Sequence, residues 1–249
     1  MKIRIFLICP LFLLSVLPAF APADQPTTFP SEARVGEKVP SDDPLLPNFH
    51  SLGLVDGSTD IFRCASPVRD VVKYFPTTQP TEHQINMVLP RMQRMHDLGI
   101  RTIISFEDPD SAEDASKHLK ERVAIEKAAA AAAGINFVAH PIANAGPHSL
   151  QDMTDEQVLQ WVDPIAAEIL ADAKTGGIMF HCSAGHDRTG LVTAYIRIKY
   201  QHWPVEEAIA EMRRYGHNWV KYSANGGISS WHEDHLRAIA RMLQADANQ

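Results

Sequence analysis

The ten residues HCSAGHDRTG, numbered 181–190, carry the most information about the fold of this chain. They follow a short apolar run at 178–180 and precede a segment of helical character, so they connect a strand to a helix. Gly185 can adopt the positive φ that curls such a loop. A curled loop at a helix N-terminus directs consecutive backbone N–H groups toward one point, where an anion binds. The stretch therefore predicts a strand, an anion-binding loop and a helix.

Three side chains and one glycine of this stretch suit the chemistry of phosphate. The planar guanidinium of Arg188 matches two phosphate oxygens. Its charge and the helix N-terminus are expected to lower the pKa of Cys182, so that a thiolate is present at neutral pH. Thr189 can donate its hydroxyl to that sulfur, and Gly190 allows the new helix to pack closely against the sheet. A nucleophile, an anion cradle and a cationic clamp thus lie within ten residues.

Short apolar runs alternate with helical patterns along the rest of the chain. This alternation indicates an α/β fold with a mostly parallel central sheet flanked by helices on both faces. Pro90 is expected to kink or split its helix, and Pro164 to restart another. Ligands bind beyond the carboxyl ends of the strands in such sheets, which is where the turn after His181 lies. Strands are predicted at 61–65, 102–106, 135–139 and 178–181, and helices from 81 to 99, 111 to 133, 154 onward, 187–202, 205–214 and 230–244.

The N-terminal residues 1–23 resemble a signal peptide. Lys2 and Arg4 precede an apolar run, and small residues precede a cleavage point before Asp24. An uncleaved membrane anchor is the alternative, but the run is short for a bilayer and contains two prolines. We therefore expect a secreted or periplasmic protein with a flexible arm at 24–47 and one domain at 48–245.

The charge and the cysteine content further restrict the possible partners and the roles of the thiols. The chain carries a formal charge of −7, which becomes −9 once the two leader cations are removed. This balance argues against nucleic acid or an anionic membrane as a partner of the mature form. Cys9 leaves with the leader, so Cys64 and Cys182 form one structural pair or include at least one working thiol.

The pattern Cys-x5-Arg, preceded by His and followed by Thr-Gly, resembles the signature of the cysteine-dependent protein tyrosine and dual-specificity phosphatase superfamily. The segments 48–49, 61–67 and 98–106 are similar to flanking motifs of compact, dual-specificity-like bacterial members. The resemblance spans about residues 48–245. It implies a protein tyrosine phosphatase-like fold, a phosphocysteine intermediate, a phosphorylated protein or small molecule as substrate, and no metal or other cofactor.

The resemblance also suggests roles for the loop residues. It makes Cys182 the nucleophile and Arg188 its partner in catalysis. Many members carry a general-acid Asp about thirty residues before the Cys, but residues 142–146 contain no carboxylate. Asp187 is the preferred candidate for the acid, because related loops place an Asp before the Arg, and Asp152 is the alternative. The expected substrate-binding residues are Ser183, Ala184, Gly185, His186 and Thr189.

Several functional alternatives stay open at this stage. Phosphotyrosine proteins or aryl phosphates are the expected substrates, and inositol phosphates or phosphoinositides are the runner-up. His186 and Ser183 occupy positions where phosphoinositide phosphatases often carry Lys, which gives a weakly basic rim. A catalytically weak, phosphate-binding pseudophosphatase is a further alternative, as is arsenate reduction or sulfur transfer.

Residues outside the loop give weaker expectations. Glu107, together with the acids at 108 and 110, is expected to form a solvated capping cluster or the rim of a cleft. His181 is expected to hydrogen-bond the loop backbone, since its spacing from other histidines matches no zinc site. Cys64 either fills a core position or forms a reversible disulfide with Cys182.

Overall fold

The computed structural model describes residues 40–53, 60–70, 79–110, 118–144, 149–217, 221–222 and 228–247. Its main sheet has five strands in the order β1-β2-β5-β3-β4, and β1 alone runs antiparallel to its neighbour. The predicted mostly parallel α/β sheet is confirmed, whereas the edge strand β1 was not predicted. The strands are β1 (His50–Gly53), β2 (Ile61–Ala65), β3 (Ile100–Ser105), β4 (Asn136–Ala139) and β5 (Gly177–Cys182).

Helices cover both faces of this sheet. One apolar core lies between the sheet and α1 and α2, and the other between the sheet and α3 to α6. Every residue of the central strand β5 is buried, which explains its nearly continuous apolar sequence. The helices are α1 (Glu82–Asp97), α2 (Leu119–Ala132), α3 (Asp155–Asp172), α4 (Asp187–Tyr200), α5 (Val205–Arg214) and α6 (Trp231–Ala247). A 3₁₀ turn at Leu150–Asp152 and a small ribbon of β6 (Lys221–Tyr222) and β7 (Ile228–Ser229) complete the described elements.

Two helices continue through a proline that the sequence suggested would interrupt them. Pro90 lies inside α1 and Pro164 inside α3, and neither helix is split. Both prolines are exposed, and so is the residue four positions before each of them. The carbonyl that loses its helical partner therefore belongs to an exposed residue, where water can satisfy it.

The N-terminal border of the packed domain differs from the expected one. Residues 40–47 precede the predicted border at residue 48, yet Leu46 is fully buried and Asp43 forms an ion pair with Arg94 at 2.7 Å. The end of the expected arm therefore packs on the domain. The predicted leader and the remainder of the arm lie outside the described residues, as do residues 111–117 of the helix predicted from 111. Among the helices that the structure describes, none combines the length and apolar character needed to cross a bilayer.

Candidate active site

The loop between β5 and α4 comprises residues 183–186 and begins directly after Cys182. Gly185 has a φ of +71°, as the sequence predicted. A Cβ atom at this position would lie 2.4 Å from the carbonyl oxygen of Cys64 on β2. The loop therefore requires glycine both for its backbone conformation and for its close approach to the neighbouring strand.

Four successive carbonyl groups of the loop point outward, where neighbouring residues hold them. The backbone N–H of Ser66 donates to the carbonyls of Cys182 (3.0 Å) and Ser183 (3.2 Å). The side-chain amide of Asn48 donates to the carbonyls of Ala184 (3.3 Å) and Gly185 (3.1 Å). Buried Arg63 donates to the Gly185 carbonyl as well, at 2.5 Å.

This arrangement turns the amides of residues 183–186 toward the inside of the loop. The N–H and C=O of a trans peptide point in opposite directions, and the described chain contains no cis peptide. The first amides of α4 add donors without helical partners at the same place. The backbone thus forms an anion-binding cradle over Cys182.

Arg188 supplies a buried positive charge beside the cradle. Its Nη1 donates to the carbonyls of Phe106 (3.0 Å) and Ile142 (2.7 Å), which follow β3 and β4. Its Nε is buried and has no hydrogen-bond partner. A buried cationic donor without an acceptor fits a site that binds an anion.

The thiol of Cys182 is buried at the end of β5. Burial alone would raise the pKa of Cys182, but the Arg188 charge and the adjacent side chain and backbone N–H of Thr189 outweigh burial and lower this pKa below its ordinary value. A lowered pKa increases the fraction of nucleophilic thiolate at neutral pH.

Cys64 lies in the core, and the hypothesis of a disulfide with Cys182 is wrong. Cys64 pairs in register with His181, so Cys182 is the next residue along the strand and its side chain points to the opposite face of the sheet. Cys64 packs in the core under α1 and α2, 3.2 Å from the sulfur of Met179, whereas Cys182 belongs to the other core. Burial raises the pKa of Cys64 well above its usual value, so this thiol is neutral.

Asp187 is the carboxylate that the structure brings to the rim of the cradle. It is the first residue of α4, and its side chain is 15% exposed. One carboxylate oxygen lies 2.6 Å from Nδ1 of His217, and the other 3.4 Å from the side-chain amide of Asn144. Asp187 therefore combines access to solvent with fixed neighbours.

Asn144 is held in turn by His232 of α6. Nε2 of His232 lies 3.0 Å from the side-chain oxygen of Asn144. Burial, together with the nearby His217, lowers the pKa of His232 well below its usual value, so this ring is neutral at neutral pH. The Nε2–H of His232 therefore donates to Asn144, which leaves the amide of Asn144 to face Asp187.

A buried group of charges lies behind the loop, which corrects the expectation for Glu107. Instead of being solvated, Glu107 is 1% exposed and forms an ion pair with Arg122 of α2, which also donates to the Ser183 hydroxyl at 3.2 Å. His181 lies 2.8 Å from Glu126 of α2, and its other ring nitrogen lies 3.2 Å from the Cys182 carbonyl. Burial alone would lower the pKa of His181, but the Glu126 carboxylate raises this pKa above its usual value.

The remaining residues that the sequence analysis singled out lie at different places relative to the loop. Asp152 is exposed in the 3₁₀ turn, and within the described residues no hydrogen bond or ion pair joins its side chain to the loop. His186 is the residue before α4 and packs against Gly216, where a Cβ would lie 2.7 Å from its Nε2. Gly190 admits α5, since a Cβ there would lie 2.6 Å from Met212. It faces that helix rather than the sheet.

Several residues around the loop were not singled out from the sequence. Asn48 and Arg63 belong to segments that resemble flanking motifs of the family, and this resemblance could have marked them as site residues. Arg122 and Glu126 are charged residues one helical turn apart at core positions of α2, a pattern that suggests a buried charged site. Asn144 and His217 carried no comparable signal, because only the folded chain brings them to Asp187.

Comparisons of the sequence with known proteins find phosphatases. The model of a family described as the tyrosine phosphatase family matches residues 91–245. A dual specificity protein phosphatase, TpbA of Pseudomonas aeruginosa, is 33% identical over 70 residues, which span 28% of this chain and 30% of TpbA. The matched part is thus less than a third of the length of that relative.

Two solved phosphatase structures align with this chain at low sequence identity. The crystal structure of P. aeruginosa TpbA aligns with a TM-score of 0.47 at 18% identity, over 86% of this chain and 96% of TpbA. A kinase associated phosphatase whose catalytic-site cysteine is replaced by serine aligns with a TM-score of 0.49 at 18% identity, over 75% of this chain and 88% of that one.

Proposed function

Because the chain belongs to the tyrosine phosphatase family, we propose that it hydrolyses phosphomonoesters through a phosphocysteine intermediate on Cys182. One observation carries this proposal above all. A thiol of lowered pKa lies beneath four inward-facing amides, beside the unpartnered Nε of Arg188. A thiolate at the floor of an anion site is positioned to attack the phosphorus of a bound phosphate.

In the first step, the Cys182 sulfur attacks phosphorus in line with the leaving oxygen. The S–P bond forms as the P–O bond breaks, and protonated Asp187 gives its proton to the departing oxygen. The loop amides and Arg188 stabilise the charge on the three equatorial oxygens. This step yields the free alcohol or phenol and a phosphocysteine.

In the second step, water replaces the sulfur. The Asp187 carboxylate accepts a proton from the attacking water, the new P–O bond forms, and the S–P bond breaks. Cys182 leaves as a thiolate, which the hydroxyl of Thr189 stabilises. Asp187 is then protonated again, and inorganic phosphate is released.

We propose phosphotyrosine proteins or aryl phosphates as the substrates. A cavity of about 210 Å³ adjoins the loop at Ala184 and His186, with the ring of Tyr215 and Pro47 among its lining residues. A cavity of about 150 Å³ is enough for benzene, so a phenyl ring fits here. Tyr215 is held between Arg63, at 4.7 Å, and His50, which gives this cavity a fixed wall.

Inositol phosphates or phosphoinositides are a second candidate class, favoured by one residue. Exposed Arg69 lines the same cavity and could pair with a second phosphate. We also propose that the enzyme acts outside the cytosol, in the periplasm or as a secreted protein, because its first 23 residues resemble a signal peptide.

The test is a substrate panel run on the wild type and on Cys182→Ser. The panel contains a phosphotyrosine peptide, a phosphoserine peptide, phenyl phosphate, inositol hexakisphosphate and a phosphoinositide. We expect release of phosphate from the tyrosine peptide and from phenyl phosphate, no turnover by Cys182→Ser, and retained vanadate binding by that variant. Substantial hydrolysis by Cys182→Ser would contradict the covalent mechanism. Vanadate binding without hydrolysis by the wild type would instead support a pseudophosphatase.

A further inference from the structure

A chain of hydrogen bonds leads from the start of α6 to the carboxylate of Asp187. Oδ1 of Asp187 lies 2.6 Å from Nδ1 of His217, and Nε2 of His217 lies 2.9 Å from the hydroxyl oxygen of Ser230. The side chain of His217 is 1% exposed, so water does not compete for these bonds. Three separate parts of the fold thus meet at one carboxylate.

The carboxylate of Asp187 determines the direction of its bond with His217, because an ionised carboxylate only accepts hydrogen bonds. Nδ1 of His217 therefore carries a hydrogen, which it donates to Oδ1 of Asp187. The Ser230 oxygen accepts the backbone N–H of Glu233 at 3.2 Å and has a hydrogen and a second lone pair left, so it can bond Nε2 of His217 in either direction. Among the residues that the structure describes, Oδ2 of Asp187 has only the 3.4 Å contact with the side-chain amide of Asn144, so Oδ2 is the oxygen available to a leaving group.

We propose that His217 is the positioning residue of the general acid. It holds Oδ1 of Asp187, and this contact orients Oδ2 toward the leaving-group oxygen of a bound phosphoester. The inference rests on the proposed function, because it assigns to Asp187 the transfer of a proton to that oxygen. Proton transfer depends on hydrogen-bond geometry between the acid and the leaving group, so a carboxyl group free to rotate is a poorer acid.

A second histidine–aspartate pair, similar to His217 and Asp187, serves as a control. His235 of α6 lies 2.6 Å from Oδ1 of Asp155 through its Nδ1, and its Nε2 lies 3.2 Å from the Leu150 carbonyl. Both histidines are nearly buried, and both use Nδ1 toward an aspartate that opens a helix. Asp155 begins α3 and takes no part in the loop.

The experiment measures kcat/KM for a series of aryl phosphates of decreasing phenol acidity, together with one alkyl phosphate. His217→Ala is expected to lose about 30-fold or more on the alkyl ester, which is part of the roughly 100- to 10,000-fold that a general acid contributes. On the most activated aryl ester it is expected to lose less than about 3-fold, because an acidic phenol leaves without a proton. Asp187→Asn is expected to follow the same pattern, and His235→Ala to show no dependence on the leaving group.

A second pair of variants separates positioning from loss of packing. His217→Asn places an amide N–H near the position of Nδ1 and is expected to restore alkyl-ester turnover to within about 3-fold of the wild type. His217→Gln places its amide near Nε2 instead, and is expected to behave like His217→Ala. Both variants keep a polar side chain at this position. Their comparison therefore tests the positioning role of His217 even if His217→Ala does not fold.

The outcomes that oppose the inference differ from those that oppose the proposed function. An equal loss by His217→Ala on all esters, or equal rates in the Asn and Gln variants, would overturn the role of His217 alone. An equal loss by Asp187→Asn on all esters would remove the acid and its positioning residue together. Turnover by Cys182→Ser would refute the covalent mechanism whatever the histidine variants show.

Discussion

At the scale of single residues, the two thiols of the described chain differ because strand register places them on opposite faces of one sheet. Cys182 faces the anion cradle, where Arg188 and Thr189 lower its pKa. Cys64 faces the core under α1 and α2, where burial raises its pKa. One thiol is therefore a nucleophile, and the other is a small apolar side chain.

Replacement of Cys64 tests this division of roles. Cys64→Ala is expected to keep kcat/KM and to regain activity with dithiothreitol after mild peroxide treatment as fully as the wild type. It is expected to lose about 1 kcal/mol of unfolding free energy, since it leaves a small void in a packed core. Activity assays and urea unfolding measure the two effects. A selective loss of recovery in Cys64→Ala would show that the two sulfurs do react with each other.

At the scale of elements, the cradle depends on three residues from two parts of the chain that hold its carbonyls outward. Ser66 follows β2, Arg63 lies within β2, and Asn48 precedes β1. The loop sequence supplies the amides and the glycine, but these neighbours determine which way the amides point. Anion binding is thus a property of the β2–β5 pair and the segment before β1.

Gly185→Ala tests whether the close approach of the loop to β2 shapes the cradle. Its Cβ would meet the Cys64 carbonyl at 2.4 Å, so the loop must shift. We expect a loss of kcat/KM of about 100-fold or more, which is typical of a misplacement near 1 Å. Vanadate affinity measured by calorimetry is expected to fall as well.

Gly134→Ala is the matched control for this substitution. Gly134 has a φ of +72°, close to the +71° of Gly185, but an added Cβ would have no atom within 4 Å. It is expected to cost about 1–2 kcal/mol of stability through backbone strain alone and to leave kcat/KM unchanged. Equal activity losses in the two variants would mean that strain, not the contact with β2, accounts for the effect.

The elements that sequence patterns predicted well are those with local signals. The strand at 61–65 and the helix at 205–214 agree residue by residue with β2 and α5. Thr81 and Thr154 cap their helices together with a glutamine three positions later, a pattern that is visible in the sequence. The edge strand β1 carries no such signal, because its pairing partner and its bulge define it rather than its own four residues.

The residues of the candidate site also separate into those with a local sequence signal and those without one. Cys182, Arg188 and Gly185 were evident because one short motif contains the chemistry. Glu107 was misjudged, because no local pattern shows that Arg122, fifteen positions later on another element, neutralises it in the core. His217 lies thirty positions after Asp187, and only the packing of α4 beside α5, which His217 follows, brings them together.

At the scale of the whole molecule, stability and the active loop share a buried group of charges. His181, Glu126, Glu107 and Arg122 are all nearly or fully buried, and Arg122 reaches the loop through Ser183. Removing charges from water is costly unless they are paired, so this group constrains how β5 and α2 pack. The protonation of His181 therefore couples pH to the free energy of unfolding.

Glu126→Gln tests this coupling. The Glu126 carboxylate raises the pKa of buried His181 above its ordinary 6.5. The stability from this pair is complete below the unfolded value and declines as pH rises through the folded pKa. Urea unfolding from pH 6 to 9 measures the free energy of unfolding of the wild type and of Glu126→Gln. The wild type is expected to exceed the variant most near pH 6, and this difference is expected to shrink toward pH 9. Glu168→Gln is the control, because Glu168 pairs with His140 at the same 2.8 Å but at a half-exposed site, where ion pairs contribute little. A difference that stays constant or grows with pH would show that His181 is neutral in the folded protein.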